Sequence, residues 1–334
     1  MKKLLHYSLA LALCTFLAGP AVSPAEAAPI PLKMSATQPT THPNYLALKH
    51  LEKLLNEKAP GRFNISVHGG MSLGSDVDVA RQVRAGLIQV ATNTTANLSN
   101  LYPAIAVCDL PYLFKDSSEA LAILDGPMGK KLLEGLKKAN VVGLTYIPAA
   151  FRQIFNGKRP VHTIDDIKGL KLRVAQSAMD IATAEVIGAA PTPLAFGDVY
   201  SAIEQKVLEG ILIPELLGYN MRFHEVAKNL AMVDAQAFVL VWFANAGWYN
   251  KLPDDLKAIF AECVKEARDY QMRETERMSK DVIKQLESEG CAITYLKPED
   301  KQKFIDTAMK TWSTFKLPDG ILDEMMAAKA AIAK

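Results

Sequence analysis

The hydrophobic and polar positions alternate most clearly in the segment Lys168-Gly169-Leu170-Lys171-Leu172-Arg173-Val174. Leucine and valine side chains alternate there with two cationic ones, and a period of two predicts a short strand with one buried face. Arg173 lies near the carboxyl end of this strand, where ligands bind in open α/β sheets. A guanidinium at that place could bind an anion through its planar set of N–H donors. A surface arginine on an edge strand fits the spacing equally well, so the pattern leaves both interpretations open.

Strand-like and helix-like periods follow one another along most of the chain. Strands are predicted at 31–36, 63–67, 90–92, 141–146 and 170–174, and helices at 45–58, 75–83, from 196 onward and at 253–289. This rhythm predicts an α/β fold with a mixed, largely parallel sheet. The last helix would be roughly 50 Å long at 1.5 Å per residue, which is longer than one lobe of ordinary size.

The amino terminus has the features of a secretory signal peptide. Lys2 and Lys3 precede an apolar run at 8–19, and Ala25-Glu26-Ala27 offers a small-residue cleavage site. We therefore predict a signal peptide at residues 1–27, with cleavage near Ala27 and Ala28. The remaining 307 of the 334 residues suffice for two lobes.

Composition excludes several classes of partner and cofactor. The net charge of +2 does not indicate binding to nucleic acid or to a membrane surface. Cys108, Cys263 and Cys291 are an odd, widely spaced set, which is neither a disulfide framework nor a metal motif, although one pair could still close. We expect them in the core. Because phosphate-loop, dinucleotide and zinc motifs are all missing, we expect no cofactor and no metal.

A glycine-rich segment offers one enzymatic alternative. Gly70-Met71-Ser72-Leu73-Gly74 fits the pattern G-x-S-x-G and directly follows His68-Gly69. A nucleophile elbow keeps its oxyanion motif on a separate loop and its serine in the middle of the sheet, and neither condition holds here. A loop lining a cleft is the favoured interpretation. A secreted serine hydrolase using Ser72 is the alternative class.

Two segments together resemble a known family. The segment at 168–174 is followed by Pro191-Thr192-Pro193-Leu194-Ala195-Phe196-Gly197-Asp198-Val199-Tyr200-Ser201-Ala202-Ile203-Glu204-Gln205. This combination resembles the extracytoplasmic solute-binding subunits of TRAP transporters (tripartite ATP-independent periplasmic transporters), which include sialic-acid- and C4-dicarboxylate-binding proteins. The likeness extends over nearly all of the chain after the signal peptide.

The resemblance implies a two-lobed α/β periplasmic solute-binding protein fold. A long helix would span both lobes, and the ligand would lie in the cleft between them. Lobe I would comprise residues 28–150 and 239–278, and lobe II residues 151–238 and 279–334. The resemblance also implies a periplasmic binding protein without enzymatic activity, which works with the small and large integral-membrane subunits of the transporter. We expect a monomer.

The resemblance also assigns candidate binding residues. Arg173 matches the arginine that forms a salt bridge with the substrate carboxylate, and Arg152 matches a second arginine near the same headgroup. Gln176 takes the place of a polar amide, and Phe196 that of an aromatic residue packed on the ligand. Further positions match polar pocket residues of the sialic-acid binder: Thr37, Asp76 and Thr94.

One departure from the family pattern bears on the ligand. In Glu209-Gly210-Ile211-Leu212-Ile213-Pro214, Ile213 takes the place of an asparagine that contacts ligand. An apolar side chain cannot satisfy a buried hydroxyl group, so a heavily hydroxylated sugar acid is disfavoured. We expect a small organic anion, either a monocarboxylate or a sulfonate such as isethionate, with both arginines on one headgroup. A C4-dicarboxylate is the alternative ligand.

Overall fold

The computed structural model describes residues 28–332. The predicted signal peptide, residues 1–27, lies outside the described residues, and its predicted cleavage site lies at their boundary. The strands of the described part are β1 Ile30–Ser35, β2 Phe63–His68, β3 Val90–Thr94, β4 Val141–Phe151, β5 Gln153–Asn156, β6 Lys171–Val174, β7 Ala190–Pro193, β8 Gly210–Ile213, β9 Asn229–Met232, β10 Ala237–Asn245 and β11 Ala292–Tyr295.

Helices alternate with these strands along the chain. They are α1 Pro43–Lys58, α2 Asp76–Ala85, α3 Thr95–Leu98, α4 Ser117–Leu124, α5 Pro127–Gly135, α6 Ala178–Val186, α7 Val199–Glu204, α8 Glu215–Asn220, α9 Phe223–Val226, α10 Ala246–Asn250, α11 Asp254–Ser288, α12 Pro298–Ala308, α13 Thr311–Thr314 and α14 Ile321–Ile332. Short 3₁₀ turns lie at Pro103–Asp109, Leu136–Ala139, Ile164–Ile167 and Phe196–Asp198. The predicted α/β class is confirmed.

The strands form two sheets rather than one. The first has five strands in the order β2-β1-β3-β10-β4, and the second has six in the order β11-β9-β5-β8-β6-β7. Strands β1, β2 and β3 are parallel, but β10 pairs antiparallel with both β3 and β4. In the second sheet β5 is antiparallel to β8 and β9. The expected mixture of parallel and antiparallel strands is present, but it is divided between two sheets, and every antiparallel pairing involves β5 or β10.

The chain crosses from the first sheet to the second at Arg152, which separates β4 from β5. The Arg152 amide donates to the carbonyl of Gln236 at 2.8 Å, and the Ala235 amide donates to the carbonyl of Arg152 at 3.0 Å. These bonds continue the antiparallel ladder across the gap between the sheets, so no backbone group is left unpaired at the crossing. Arg152 is thus held at the junction of the two halves of the molecule, each of which is built around one of the two sheets.

The long helix α11 ends where the sequence pattern predicts, at Asp254 and Ser288. It packs on α1 and on strand β4 of the first sheet, and also on α8 and on strand β11 of the second sheet. The buried stripe along it includes Leu256, Phe260 and Val282. The two acidic residues of its first turn, Asp254 and Asp255, complement the helix dipole. One rigid element therefore connects both sheets.

Apolar side chains from both crossing strands fill the space beneath the helices. All nine residues of β10 are buried, and Trp242 and Phe243 are among the largest fully buried side chains. Cys108, Cys263 and Cys291 are buried free thiols, as the expectation of core positions required. The described helices include none that is both long and apolar enough to cross a lipid bilayer.

Candidate binding site

A small cavity lies between the two sheets, next to the crossing at Arg152. The space in it that a water-sized sphere can occupy is about 20 Å³, roughly enough for one water molecule. The first sheet and its helices contribute polar groups, whereas the second sheet contributes Arg173 and most of the apolar wall. The lining residues are Gln38, Asp76, Thr94, Asn97, Arg152, Arg173, Ala175, Phe196, Ile213, Leu217 and Phe238.

Arg173 is buried, with only 5% of its surface exposed. The strand β6 that carries it pairs with β7 on one side and with β8 on the other, so it is not an edge strand. Together with the burial of the side chain, this excludes the interpretation as a surface arginine on an edge strand. Its Nε donates to the carbonyl of Leu194 at 3.0 Å. Burial lowers the pKa of Arg173 to about 10, and the charge of Asp76 opposes this shift. The guanidinium therefore remains charged at neutral pH.

Phe196 packs against this guanidinium. The Cζ atom of Arg173 lies 5.5 Å from the centre of the Phe196 ring, within range of a cation–π interaction. Phe223 contacts the same ring edge-on at 5.9 Å between centroids, which fixes its orientation. The aromatic ring thus supports the arginine from one side and presents an apolar surface to the cavity.

Arg152 reaches the cavity from the crossing and has an acidic partner. Its Nη2 lies 3.4 Å from Oδ2 of Asp180, and both side chains are only 4% exposed. Its Cζ lies 5.2 Å from the centre of the Phe238 ring. The structure therefore brings both predicted arginines to one cavity. Unlike Arg173, however, Arg152 is already in contact with a carboxylate.

Asp76 is the acidic group on the opposite wall. It is the first residue of α2, and Ser75 caps that helix in a reciprocal capping box with Asp78. The Thr37 hydroxyl donates to Oδ1 of Asp76 at 2.6 Å. Burial raises the pKa of Asp76, while the hydrogen bond from Thr37 and the positive charge of Arg173 act in the opposite direction. Thr37 thus acts behind Asp76 and is not itself among the lining residues.

The polar wall continues through Thr94, Asn97 and Gln38. Oγ1 of Thr94 caps the short helix α3 by accepting from the amide of Asn97 at 3.2 Å. Gln38 is buried, and its Oε1 accepts a hydrogen bond from Asn44. Sequence reasoning missed Gln38 and Asn97. Both lie in or beside loops at the ends of strands, and no local pattern distinguishes them from ordinary capping residues.

The remaining wall is apolar. Ile213, at the end of β8, is 2% exposed and lies beside Leu217, Ala175 and Phe238. The predicted apolar position thus faces the same cavity as the arginines. Gln176 differs from the other candidates, because its side chain is exposed and is not among the lining residues. Its backbone carbonyl instead accepts from Nδ2 of Asn100 at 2.7 Å, across the gap between the two halves.

The glycine-rich loop at 69–74 lies at the same gap and has no catalytic arrangement. Ser72 is exposed in a turn, and the His68 ring lies 3.3 Å from Oγ of Ser66 rather than beside Ser72. A Cβ atom added to Gly197 would be 3.0 Å from Sδ of Met71, so this glycine permits the two halves to approach closely. Within residues 28–332, no three His, Cys, Asp or Glu side chains are grouped so that they could hold a metal ion.

Known proteins with similar sequences and structures bind small acids. The chain is 27% identical over 266 residues to the 2,3-diketo-L-gulonate-binding periplasmic protein YiaO of Escherichia coli strain K12, which covers 80% of each chain. It is 27% identical over 325 residues to the C4-dicarboxylate-binding periplasmic protein DctP of Vibrio cholerae, with 96% of each chain covered. A TRAP periplasmic solute-binding protein of Ochrobactrum anthropi, whose carboxyl terminus occupies its ligand pocket, matches with a TM-score of 0.81 and 27% identity. That match covers 91% of this chain and 96% of the other.

A family model identifies the group to which these proteins correspond. The model described as bacterial extracellular solute-binding protein, family 7, matches residues 34–317. The resemblance inferred from the sequence and the two-lobed fold expected from it are both confirmed. The chain belongs to this family, the DctP family of bacterial extracellular solute-binding proteins.

Proposed function

We propose that this TRAP solute-binding protein captures a small organic anion with one dominant charged group and delivers it to the membrane subunits of its transporter. The observation that carries the proposal is the buried, charged guanidinium of Arg173 in the wall of the cavity between the two sheets. A binding protein of this kind performs no covalent chemistry, so the serine-hydrolase alternative is set aside. A monocarboxylate is the favoured ligand, and a small sulfonate would offer the same kind of acceptor oxygens.

The unused donors of Arg173 support an anionic ligand. Only its Nε has a hydrogen-bond partner among the described residues, the carbonyl of Leu194. The two terminal nitrogens form a planar fork that matches the oxygens of a carboxylate or sulfonate. An anion placed there would neutralise a buried charge, and the surrounding protein would strengthen the attraction relative to water.

The apolar wall supports a small or apolar remainder of the ligand. Ile213, Leu217 and Phe238 offer no hydrogen-bond partner to a chain of hydroxyl groups. Burying such groups unpaired would cost affinity, because each loses its bonds to water. The relatives that bind 2,3-diketo-L-gulonate and C4-dicarboxylates show that acids of differing polarity are recognised within the family. A C4-dicarboxylate is the second candidate, favoured by the likeness to the C4-dicarboxylate-binding relative of Vibrio cholerae.

Two lobes would close on the ligand. We propose that lobe I comprises residues 28–150 and 239–278 and that lobe II comprises the remainder, with α11 and the crossing at Arg152 as the connection. The support for this is that lining residues such as Asp76 and Arg173 come from opposite sides of the cavity. Closure of this type removes water from the ion pair.

A thermal-shift screen tests the proposed function. The purified mature protein is heated with single members of a panel of monocarboxylates, dicarboxylates, sugar acids and sulfonates. A ligand at 100 times its dissociation constant adds about 2.7 kcal/mol to the free energy of unfolding, which raises the unfolding temperature measurably. We expect small monoanions to give the largest shifts. A response restricted to sugars or amines without an acidic group would contradict the proposal.

A further inference from the structure

The positive charge of Arg152 is balanced before any ligand arrives. Asp180 lies in the first turn of α6, where Ser177 caps the helix, and its Oδ2 is 3.4 Å from Nη2 of Arg152. Both side chains are 4% exposed, so solvent screens the pair very little. A buried pair of this kind is retained only when the geometry is useful, because desolvation offsets much of the attraction.

The contact is a single one and leaves polar atoms uncommitted. Oδ1 of Asp180 and Nε of Arg152 are buried and have no hydrogen-bond partner among the described residues. Arg152 therefore does not hold Asp180 through both oxygens, as a parallel fork would. The charge of Asp180 also acts on Arg173, the other cation of the cavity, where it opposes the lowering of the pKa by burial.

A second buried carboxyl group, that of Asp109, lies in the same cluster. Its Oδ1 accepts from the hydroxyl of Thr95 at 2.7 Å, and its backbone carbonyl accepts from Nε2 of Gln236 at 2.6 Å. Burial raises the pKa of Asp109 well above its usual range, repulsion from Asp180 adds to this, and the charge of Arg152 opposes it. Among the described residues the ion-pair partner of Arg152 is Asp180 and not Asp109.

The two arginines of the cavity therefore differ. Arg152 is in contact with Asp180, whereas Arg173 lies opposite Asp76 without a direct ion pair among the described residues. A singly charged ligand places one negative charge beside Arg173. A dianion would bring a second negative charge that meets no free cation and lies close to Asp180, where like charges repel strongly in a poorly screened site.

We propose that Asp180 is a specificity-determining residue, which neutralises and positions Arg152 so that the cavity selects monoanions over dianions. This inference rests on the proposed function, since it concerns the ligand held by Arg173. It also explains how a protein with two arginines in one cavity can prefer a single headgroup. This selection acts on the charge of the ligand, so it does not depend on the size of the ligand's apolar part.

The test compares acids that differ by one carboxylate. Affinities of butyrate and succinate, and of 2-hydroxybutyrate and malate, are measured by calorimetry or by thermal shift for wild type and Asp180→Asn. The substitution keeps the shape of the side chain and removes its charge. We expect the affinity ratio of dianion to monoanion to rise by about tenfold or more, because Arg152 becomes available to the second carboxylate.

Two control variants separate charge from folding. Asp180→Glu keeps the charge and should retain the wild-type ratio, whereas a merely structural defect would weaken both acids of a pair equally and leave the ratio unchanged. Asp109→Asn changes the neighbouring buried carboxyl group, which is not the ion-pair partner of Arg152, and should also leave the ratio unchanged. An unchanged ratio in Asp180→Asn, or an equal rise in Asp109→Asn, would overturn the inference.

Acid binding by the Arg173→Ala variant tests the proposed function separately from the inference about Asp180. If Arg173→Ala abolishes binding of every acid while Asp180→Asn leaves the ratio unchanged, the inference alone fails. If all four acids fail to bind the wild type, or if Arg173→Ala binds them as the wild type does, the proposed function fails and the inference falls with it. A wild type that prefers succinate to butyrate would contradict the inference directly.

Discussion

Arg173 keeps its charge in a place that water hardly reaches. An unpaired buried charge is expensive, and here the cost is reduced by the carbonyl of Leu194, the ring of Phe196 and the charge of Asp76. None of these is a direct ion pair within hydrogen-bond distance. The ligand-free site thus retains a favourable position for an anion. Binding then supplies the missing partner instead of competing with one that is already present.

Ile213 can be tested for its part in excluding hydroxylated acids. Ile213→Asn introduces a donor and an acceptor into an apolar wall, so we expect the ligand-free protein to lose about 1–3 kcal/mol of stability. We also expect the affinity for sugar acids, relative to the preferred small anion, to rise by about tenfold. Ile213→Val is the control, since it keeps the wall apolar. A relative affinity that is the same in both variants would show that Ile213 does not determine this preference.

The sequence predicts which residues form the centre of the site better than it predicts their burial and their contacts. Arg173 could be singled out from its strand and its family motif, but the alternating pattern makes it a solvent-facing residue. Its burial depends on tertiary packing, including the ring of Phe196 and the segment at Leu194, which a local period does not reveal. The pairing of Arg152 with Asp180 joins residues 28 positions apart on different elements, so no motif indicates it.

The elements that position the site are the crossing strands and the long helix. Arg152 and Phe238 are held at the junction by the ladder between β4 and β10, which extends into the second sheet. The 35-residue helix α11 could be predicted almost to the residue, because its pattern is long and its end is marked by Gly290. The division of the strands into two sheets could not be predicted from periodicity, since pairing partners are set by tertiary contacts.

The start of helix α1 provides a test by pH. His42 caps this helix, with its Nδ1 accepting from the amide of Asn44 at 3.1 Å. Burial lowers the pKa of His42 from 6.5 to about 3. Between these values the unfolded chain binds a proton that the folded protein does not, so stability is fully present above pH 6.5 and is lost as the pH falls towards 3. The contribution of His42 amounts to about 1.4 kcal/mol per pH unit at most.

Urea denaturation at a series of pH values measures this contribution. Other groups also titrate in this range, so the comparison is with His42→Asn, which keeps an oxygen able to cap the helix but cannot take up the proton. We expect the free energy of unfolding to fall less steeply with decreasing pH in this variant than in the wild type. Identical slopes in the two proteins would show that His42 takes up its proton in the folded state as readily as in the unfolded chain.

At the scale of the whole molecule, the two halves meet at a small number of polar and close contacts. Nδ2 of Asn100, which follows α3, donates to the carbonyl of Gln176, which follows β6. Met71 and Gly197 approach each other from the same two sides. None of these four residues lines the cavity, so their contacts can stabilise the arrangement of the two halves without touching the ligand.

Removing the hydrogen bond of Asn100 should weaken ligand binding indirectly. A single hydrogen bond contributes about 0.5–1.5 kcal/mol net, so Asn100→Ala should lower the affinity of the preferred anion by about two- to tenfold. The dissociation rate should rise more than the association rate falls, because a bond between the two halves opposes the separation through which a bound ligand leaves. Stopped-flow measurement of both rates provides the test, with Asn100→Gln as a variant that keeps the donor. A change confined to the association rate would contradict a role in holding the closed arrangement.

Calorimetric titration of Arg173→Ala with the acid that gives the largest thermal shift in the wild type tests the central claim most directly. Removing one partner of a buried ion pair costs about 2–5 kcal/mol, so the affinity should fall between about 30-fold and several thousand-fold. Arg173→Lys should recover little of it, because a single ammonium group cannot replace the planar fork. An Arg173→Ala protein that folds and binds the acid with nearly wild-type affinity would contradict the account.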